Sequence, residues 1–451
     1  MFTLQYINDI FPESKGEISS EKRIKNIMTD SREKMSDTLF IPIIGERFDG
    51  HQFIEQAIQN GAIATIWDRS IDIPKNVPES FVFFLVDDTV KALQSLAKRY
   101  RDDVNPTVIG ITGSNGKTTT KDLVYAVLQT KYKTHRTSGN FNNEIGLPLT
   151  ILRMNRDTEV LVLEMGMNAF GEIERLTKIA QPDYAIITNI GESHIEHLGD
   201  RQGIAKAKLE IKEGLKEEGV LFIDGDESLL HSVMQDKNTV SIGFNEDNNV
   251  VISDVRLESD STVFHLKDES YEIPLLGGHH AKNATFAIQV GKHLGLTYEQ
   301  IKTGLKTLEH TSMRFEKMIG KNGVTIINDA YNASPTSMKA AIEVLKQLSG
   351  YKRKVVVLGD ILELGPYSES LHRTVAEKID HPIDIVLTYG DAVKVIVDKI
   401  KAHKKNIEAI HFDDRDKLLS HLEKYVMEDT VILFKASRGM KFELFIEKIC
   451  D

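Results

Sequence analysis

The stretch that most constrains this chain runs from Thr107 to Thr120, Thr-Val-Ile-Gly-Ile-Thr-Gly-Ser-Asn-Gly-Lys-Thr-Thr-Thr. Val108, Ile109 and Ile111 make a short apolar strand, and from Thr118 through Leu123, Val127 and Leu128 the residues follow helical spacing. Glycines between the two let the backbone turn back on itself, so the order is strand, loop, helix. In such a loop Gly113 and Gly116 put no Cβ in the way of a phosphate. The backbone N–H groups of the loop, Ser114 and Asn115 among them, point inward, and the helix N-terminus adds partial positive charge. Lys117 then reaches the β- and γ-phosphates, Thr118 offers its hydroxyl to Mg2+, and Thr119 completes the nucleotide-binding run. The spacing departs once from G-x-x-x-x-G-K-[ST]: the first glycine would fall on Ile111, and the glycine present is Gly110. Nucleotide phosphate binding is the expected task.

A chain of 451 residues has room for about three domains, each with its own core. Its 56 Lys and Arg against 67 Asp and Glu give a net charge of −11, and no local basic patch breaks that balance, so no nucleic-acid partner is expected. The single cysteine, Cys450, rules out an internal disulfide and fits a reducing, cytoplasmic compartment. No apolar run reaches the roughly 18 residues of a membrane span, and Met1 to Ile10 lack the features of a signal peptide.

Outside the loop, strands and helices alternate. Residues Leu39 to Asp103 read as a small α/β domain, with a helix from Val90 to Tyr100 and a linker from Asp102 to Pro106. Val160 to Leu163 form an apolar run suited to a strand buried on both faces, and it ends in Glu164. A carboxylate at the C-terminal end of such a strand sits in the crevice where open α/β sheets bind ligands, which makes Glu164 the first choice for a Mg2+ ligand opposite Thr118. Ala185 to Asn189 repeat the pattern and lead to Gly191-Glu192-Ser193-His194, while Asn248 to Ile273 alternate as an antiparallel appendage. Beyond Val324 strands and helices alternate as in a doubly wound domain; without G-x-G-x-x-G there, NAD is not inferred.

Several longer motifs add up to a resemblance. Asp30-Ser31-Arg32, Leu39-Phe40, Gly45 and Asp49-Gly50-His51-Gln52-Phe53 together resemble the uridine-nucleotide module of the Mur ligases, which build the peptidoglycan stem peptide. The resemblance implies that Ser31 and Arg32 lie near the UDP-sugar and that Asp49, Gly50 and His51 shape the same pocket. Gly139-Asn140-Phe141-Asn142-Asn143-Glu144-Ile145-Gly146-Leu147-Pro148 is similar to the family segment that contacts the muramoyl part, which implies substrate roles for Asn140, Asn142 and Asn143. His194 falls on the family position for a second Mg2+. Ala207-Lys208-Leu209-Glu210-Ile211 matches the motif whose lysine carries CO2 as a carbamate, an anionic oxygen ligand that forms only on an uncharged, shielded amine. Asn283 matches the residue that faces adenine, Arg314 the arginine that reaches the γ-phosphate, and Asp329 the residue beside the ribose. Tyr331 and Asn332 match residues that approach the amino substrate, and Tyr331-Asn332-Ala333-Ser334-Pro335 is typical of the D-alanyl-D-alanine-adding branch. Arg438 either pairs with the dipeptide carboxylate or is an ordinary surface arginine.

The resemblance implies an ATP-dependent amide ligase with Lys117, Lys208, His194 and Arg314 in the chemistry. ATP, Mg2+ and a carbamylated Lys208 are the expected cofactors, and UDP-MurNAc-tripeptide and D-Ala-D-Ala the expected small-molecule substrates of a monomer. The implied architecture is α/β in three domains: residues 1–104 for UDP binding, 105–312 with the P-loop and ATP, and a Rossmann-like domain over 313–451, closing about Thr311 to Arg314. A folate polyglutamylating ligase shares the last two domains but leaves the N-terminal motifs unexplained, and a P-loop ATPase would need no amino acceptor.

Overall fold

The computed structural model describes residues 2–45, 47–309, 312–404 and 406–450. The expected hinge is therefore described only from Ser312 to Arg314; Thr311 lies outside the described residues.

The central sheet is built around the strand Thr107–Thr112, which lies between the parallel strands Val160–Glu164 and Tyr184–Ile187. Its register pairs Val160 with Thr107 and Glu164 with Ile111. That pairing brings the carboxylate level with the start of the glycine-rich loop. Val160 to Leu163 are buried on both faces, each such side chain contributing about 1.5–3 kcal/mol on leaving water. The sheet has nine strands, and it ends in the antiparallel run Val250–Leu257, Thr262–Leu266 and Glu269–Ile273, as the alternating pattern predicted. The helices Lys117–Leu128 and Gly278–His293 lie side by side. A Cβ on Gly291 would stand 2.9 Å from Val127 Cγ1, so glycine sets how closely they approach.

A five-stranded sheet between Ser14 and Val86 forms the N-terminal unit, parallel except for the edge strand Ser14–Lys15. The helix that follows it, Thr89–Val104, runs through the first part of the expected linker. Asp88 caps its start, and Asn105 ends it in the left-handed region at φ +52°, one residue before Pro106. Its last turns are tied to the central unit: the Tyr100 hydroxyl donates to Met154 O at 2.9 Å and Arg101 to Gln181 Oε1 at 2.7 Å.

The C-terminal sheet has six strands, parallel except for the edge strand Glu316–Ile319. The helix Lys394–His403, the strand Glu408–Phe412 and the helix Glu443–Cys450 complete it beyond the alternation read from the sequence. Among the described residues no helix is long and apolar enough to cross a membrane.

Candidate active site

A cavity of about 580 Å³ opens where the C-terminal ends of the central strands face the C-terminal unit. The P-loop forms one wall. Gly113 and Gly116 have φ of +147° and +80°, and a Cβ on Gly113 would fall 1.8 Å from Thr188 Oγ1. Glycine is thus required by both conformation and space. Asn115 is fixed from behind: its N–H donates to Asn189 Oδ1 at 3.0 Å, and its carbonyl accepts from Thr188 Oγ1 at 2.6 Å. Lys117 folds back to donate to Gly113 O at 2.9 Å.

Thr118 and Glu164 form the pair that the strand register dictates. Thr118 Oγ1 donates to Glu164 Oε2 and Asn142 Nδ2 to Glu164 Oε1, both at 2.9 Å, and the carboxylate is only 3% exposed. From the other side Arg314 Nη2 donates to Thr118 Oγ1 at 2.9 Å, with its guanidinium 4.2 Å from the centre of the Tyr331 ring. This is the arginine expected at the γ-phosphate, and it stands over the P-loop threonine. The Ser114 hydroxyl, Asn115 Nδ2 and Arg314 Nε are buried without hydrogen-bond partners among the described residues. Unpaired polar atoms of this kind are costly unless a polar ligand meets them.

Lys117 and His194 line the cavity and Lys208, close enough to feel the charge of Lys117, is not among its lining residues; each is disfavoured in its charged form. Burial pushes the Lys208 amine well below the ordinary lysine value, and the positive charge of Lys117 adds to this; Lys208 is 2% exposed. Burial also lowers Lys117, with Arg314 acting the same way and Glu164 opposing. His194 is lowered first by burial and then by Lys117, against the pull of Glu363. Its Nδ1 lies 2.6 Å from Glu363 Oε2 of the C-terminal unit.

The remaining candidates divide. Asn140, Asn142, Asn143, Thr119, Asn283, Asp329, Tyr331 and Asn332 all line the cavity. Asp329 is already engaged, with Oδ2 accepting from Lys435 Nζ at 2.5 Å and Oδ1 from Phe315 N–H at 3.2 Å. Arg438 is not among the lining residues; its Nη1 lies 2.8 Å from Met313 Sδ and 3.3 Å from Glu443 Oε1. The five N-terminal candidates lie away from the cavity. Ser31 donates to Gln56 Oε1 at 2.7 Å, and Asp49 starts a helical turn while accepting from His51 Nδ1 at 2.6 Å. His51 itself is 3% exposed and packs edge-on against Trp67, and Gly50 sits where a Cβ would meet Ile43 N at 2.7 Å. Arg32 is exposed and paired with Asp30.

Asp224, Lys282 and Lys435 also line the cavity, although sequence reasoning gave none of them a role. Asp224 ends the strand Val220–Asp224 in the same crevice as Glu164, so the strand-end rule was enough to find it. Lys282 bridges it to Asp226 at 2.6 and 2.9 Å. Among the described residues no group of three or more His, Cys, Asp or Glu side chains is placed to hold a metal.

Known proteins share this arrangement along the whole chain. Family models match in three consecutive parts: "Mur ligase family, catalytic domain" over residues 23–101, "Mur ligase middle domain" over 111–291 and "Mur ligase, glutamate ligase domain" over 313–438. The UDP-N-acetylmuramoyl-tripeptide--D-alanyl-D-alanine ligase of Bacillus subtilis is 47% identical over 431 residues, which cover 95% of this chain and 93% of that protein. A crystal structure of MurF from Acinetobacter baumannii superposes with a TM-score of 0.89 at 30% identity, covering 100% of this chain and 98% of the other. MurF ligase from Thermotoga maritima in complex with ADP gives 0.83 at 33% identity, covering 94% and 97%. With a full-length relative at this identity and all three family models in order, the chain belongs to the Mur ligase family.

Proposed function

We propose that the chain is an ATP-dependent ligase that joins D-alanyl-D-alanine to UDP-N-acetylmuramoyl-tripeptide. One observation carries the reading: a single cavity holds both the P-loop and the Tyr331–Asn332 loop, with Arg314 crossing from one domain to the other. Relatives of that name, nearly full length against this chain, supply the substrates.

In this reaction the substrate carboxylate attacks the γ-phosphorus of ATP and ADP leaves. The amine of the dipeptide then attacks the acyl phosphate, and phosphate leaves from the tetrahedral intermediate. The protein's contribution is position and charge. The N–H groups at the start of the helix Lys117–Leu128 hold phosphate oxygens, since those of Ser114 and Asn115 already donate to Asn189 O and Oδ1, and Lys117 and Arg314 offset the charge that develops on the phosphoryl group. Asn283 faces the base. Asn140, Asn142 and Asn143 hold the muramoyl part, while Tyr331 and Asn332 meet the dipeptide. The N-terminal domain, residues 1–104, holds the uridine end through Ser31 and Arg32, on a frame set by Asp49, Gly50 and His51.

The chain's donor set fits Mg2+ only in company with phosphate oxygens, since Thr118 and Glu164 supply one hydroxyl and one carboxylate. Bound there, the ion would neutralise phosphate charge and orient the transferring group. His194 and Lys208 are the second pair. A buried Lys208 amine whose charged form is disfavoured, with no acidic partner among the described residues, is suited to carbamylation, which would turn a repelled cation into an anionic ligand.

The test is phosphate release from ATP and Mg2+ with UDP-MurNAc-tripeptide, with and without D-Ala-D-Ala, together with the product mass. Release that needs both substrates and a product heavier by the dipeptide are expected. Release indifferent to both would leave a P-loop ATPase.

A further inference from the structure

The loop carrying Tyr331 and Asn332 runs directly into the helix Pro335–Gln347, and the start of that helix is held by the other domain. Ser334 caps it, its Oγ accepting from Ser337 N–H at 3.1 Å. The same hydroxyl donates to Asn115 Oδ1 of the P-loop at 3.0 Å. Two residues on, Thr336 donates to Glu192 Oε2 from both its hydroxyl, at 2.8 Å, and its backbone N–H, at 3.3 Å. A second hydroxyl contact, to Glu192 Oε1, measures 3.0 Å. Glu192 thus gives a carboxylate to one first-turn N–H, that of Thr336, of a helix in a different domain, where the helix dipole also favours negative charge.

Both contacts start from one segment of the central domain. Thr188 and Asn189 fix Asn115 from behind, and Glu192 follows three residues later. The acceptor loop is held on its own side by Lys435, which donates to Asn332 O at 3.2 Å. Arg314 reaches the P-loop through a separate contact, to Thr118. The Arg314–Thr118 contact at the phosphoryl end is made without Glu192, whereas the first turn of Pro335–Gln347, directly after the Tyr331–Asn332 loop, is docked by Glu192 beside the Ser334–Asn115 bond and the packing of Tyr331 on Arg314.

We propose that Glu192 is a positioning residue for amide formation: it docks the first turn of Pro335–Gln347 on the central domain and so sets where the amine meets the acyl phosphate. The proposal rests on the ligase reading above. A displacement of about 1 Å at this point is enough to lower a bond-forming rate by about a hundredfold.

The test separates the two half-reactions in the full-length enzyme. Exchange of labelled ADP into ATP, supported by UDP-MurNAc-tripeptide without dipeptide, reports acyl phosphate formation; phosphate release with D-Ala-D-Ala reports the whole reaction. Glu192→Ala is expected to lower kcat/KM for D-Ala-D-Ala by about tenfold or more, with exchange within about twofold of wild type. Glu192→Gln, which keeps an acceptor but loses the charge, should fall between. Thr336→Val should weaken dipeptide use in the same way, and adding it to Glu192→Ala should cause little further loss, because the two act as one contact. Equal losses in exchange and overall turnover would overturn the proposal, as would unchanged dipeptide kinetics in both variants. If Glu192→Ala does not fold, Thr336→Val carries the same comparison. Wild-type phosphate release that ignores the dipeptide would instead overturn the ligase reading, and it is seen before any variant is made.

Discussion

The central cavity and the N-terminal unit use their polar residues in opposite ways. Around the P-loop polar groups converge and some are left unpaired: Arg314 and Asn142 reach Thr118 and Glu164 from two sides, and the buried Ser114 hydroxyl has no partner among the described residues. In the N-terminal unit the candidates spend themselves on each other or on neighbours, as Asp49 does on His51 and Ser31 on Gln56. Only Arg32 extends into solvent, paired with Asp30. Phosphoryl transfer needs charges held ready in a site from which water is excluded, at a cost in stability. A module that holds a substrate handle needs mainly a rigid frame.

The largest effect that would break this contrast lies at Lys117. Lys117→Ala should lower kcat by on the order of a hundred- to a thousandfold with the fold intact, since it removes a cation from the phosphoryl site and relieves crowding among positive charges. Steady-state turnover with circular dichroism as the control checks this. A variant that keeps most of its activity would mean that the cavity is not where phosphate is transferred.

Lys208 sharpens the comparison, because there function and stability should move apart. Lys208→Ala should cost about a hundredfold in kcat, with partial rescue by short carboxylic acids if a carbamate is what is lost. Unaffected activity would remove the carbamate. Lys208→Met should be as inactive yet more stable than wild type at pH 7 in CO2-free buffer, seen as a raised Tm. The sign follows from the lowered amine: below the ordinary lysine value of 10.5 the unfolded chain binds a proton that the folded site resists. Burial of this lysine therefore destabilises at neutral pH. The gain from methionine should shrink as the pH rises toward that value, and a gain that grows with pH would contradict the assignment.

These sites were legible to different depths. The strand, loop and helix around Gly113 could be read from periodicity and glycine placement, and Glu164 from its position at the end of an apolar strand, because both rest on local rules. Arg314 was reached through resemblance alone: nothing in Met313-Arg314-Phe315 tells a chain that a residue 196 positions away from Thr118 will touch it. Glu192 and Thr336 were invisible for the same reason, since their partners lie in another domain. The expected linker at Asp102 to Pro106 failed on a boundary: Asp102 to Val104 are still helical, and the stop signal was Asn105 before Pro106 rather than the acidic pair. His51 is the instructive case. The resemblance implied that it shapes the uridine pocket, and its burial against Trp67 is that of a side chain that would do so from within the frame.

That reading of His51 predicts a loss of stability before a loss of binding. Truncating a side chain that is 3% exposed, with an aromatic contact and a hydrogen bond to Asp49, should cost about 2–4 kcal/mol. His51→Ala should therefore lower the denaturant midpoint clearly, while KM for ATP stays as it was. A normal midpoint with a raised KM for the UDP substrate would place the imidazole against the ligand instead.

Arg32 should behave in the reverse way, and with the smallest effect. Its guanidinium is exposed and its partner Asp30 lies on the same turn, so the pair adds little to the fold, although the arginine holds the Asp30 carboxyl at about 2. Arg32→Ala should leave the midpoint unchanged and let Asp30 titrate nearer its ordinary value, a change visible by NMR. If the guanidinium meets diphosphate oxygens, KM for the UDP substrate should rise by about tenfold, the loss typical of one charge-assisted contact, with kcat and KM for ATP unaffected. Arg32→Lys should recover only part of this, because a single ammonium lacks the planar fork that matches two oxygens. An unchanged KM would leave Arg32 a solvent-exposed ion pair, and the uridine end of the substrate would then have to be held by groups other than the Asp-Ser-Arg motif.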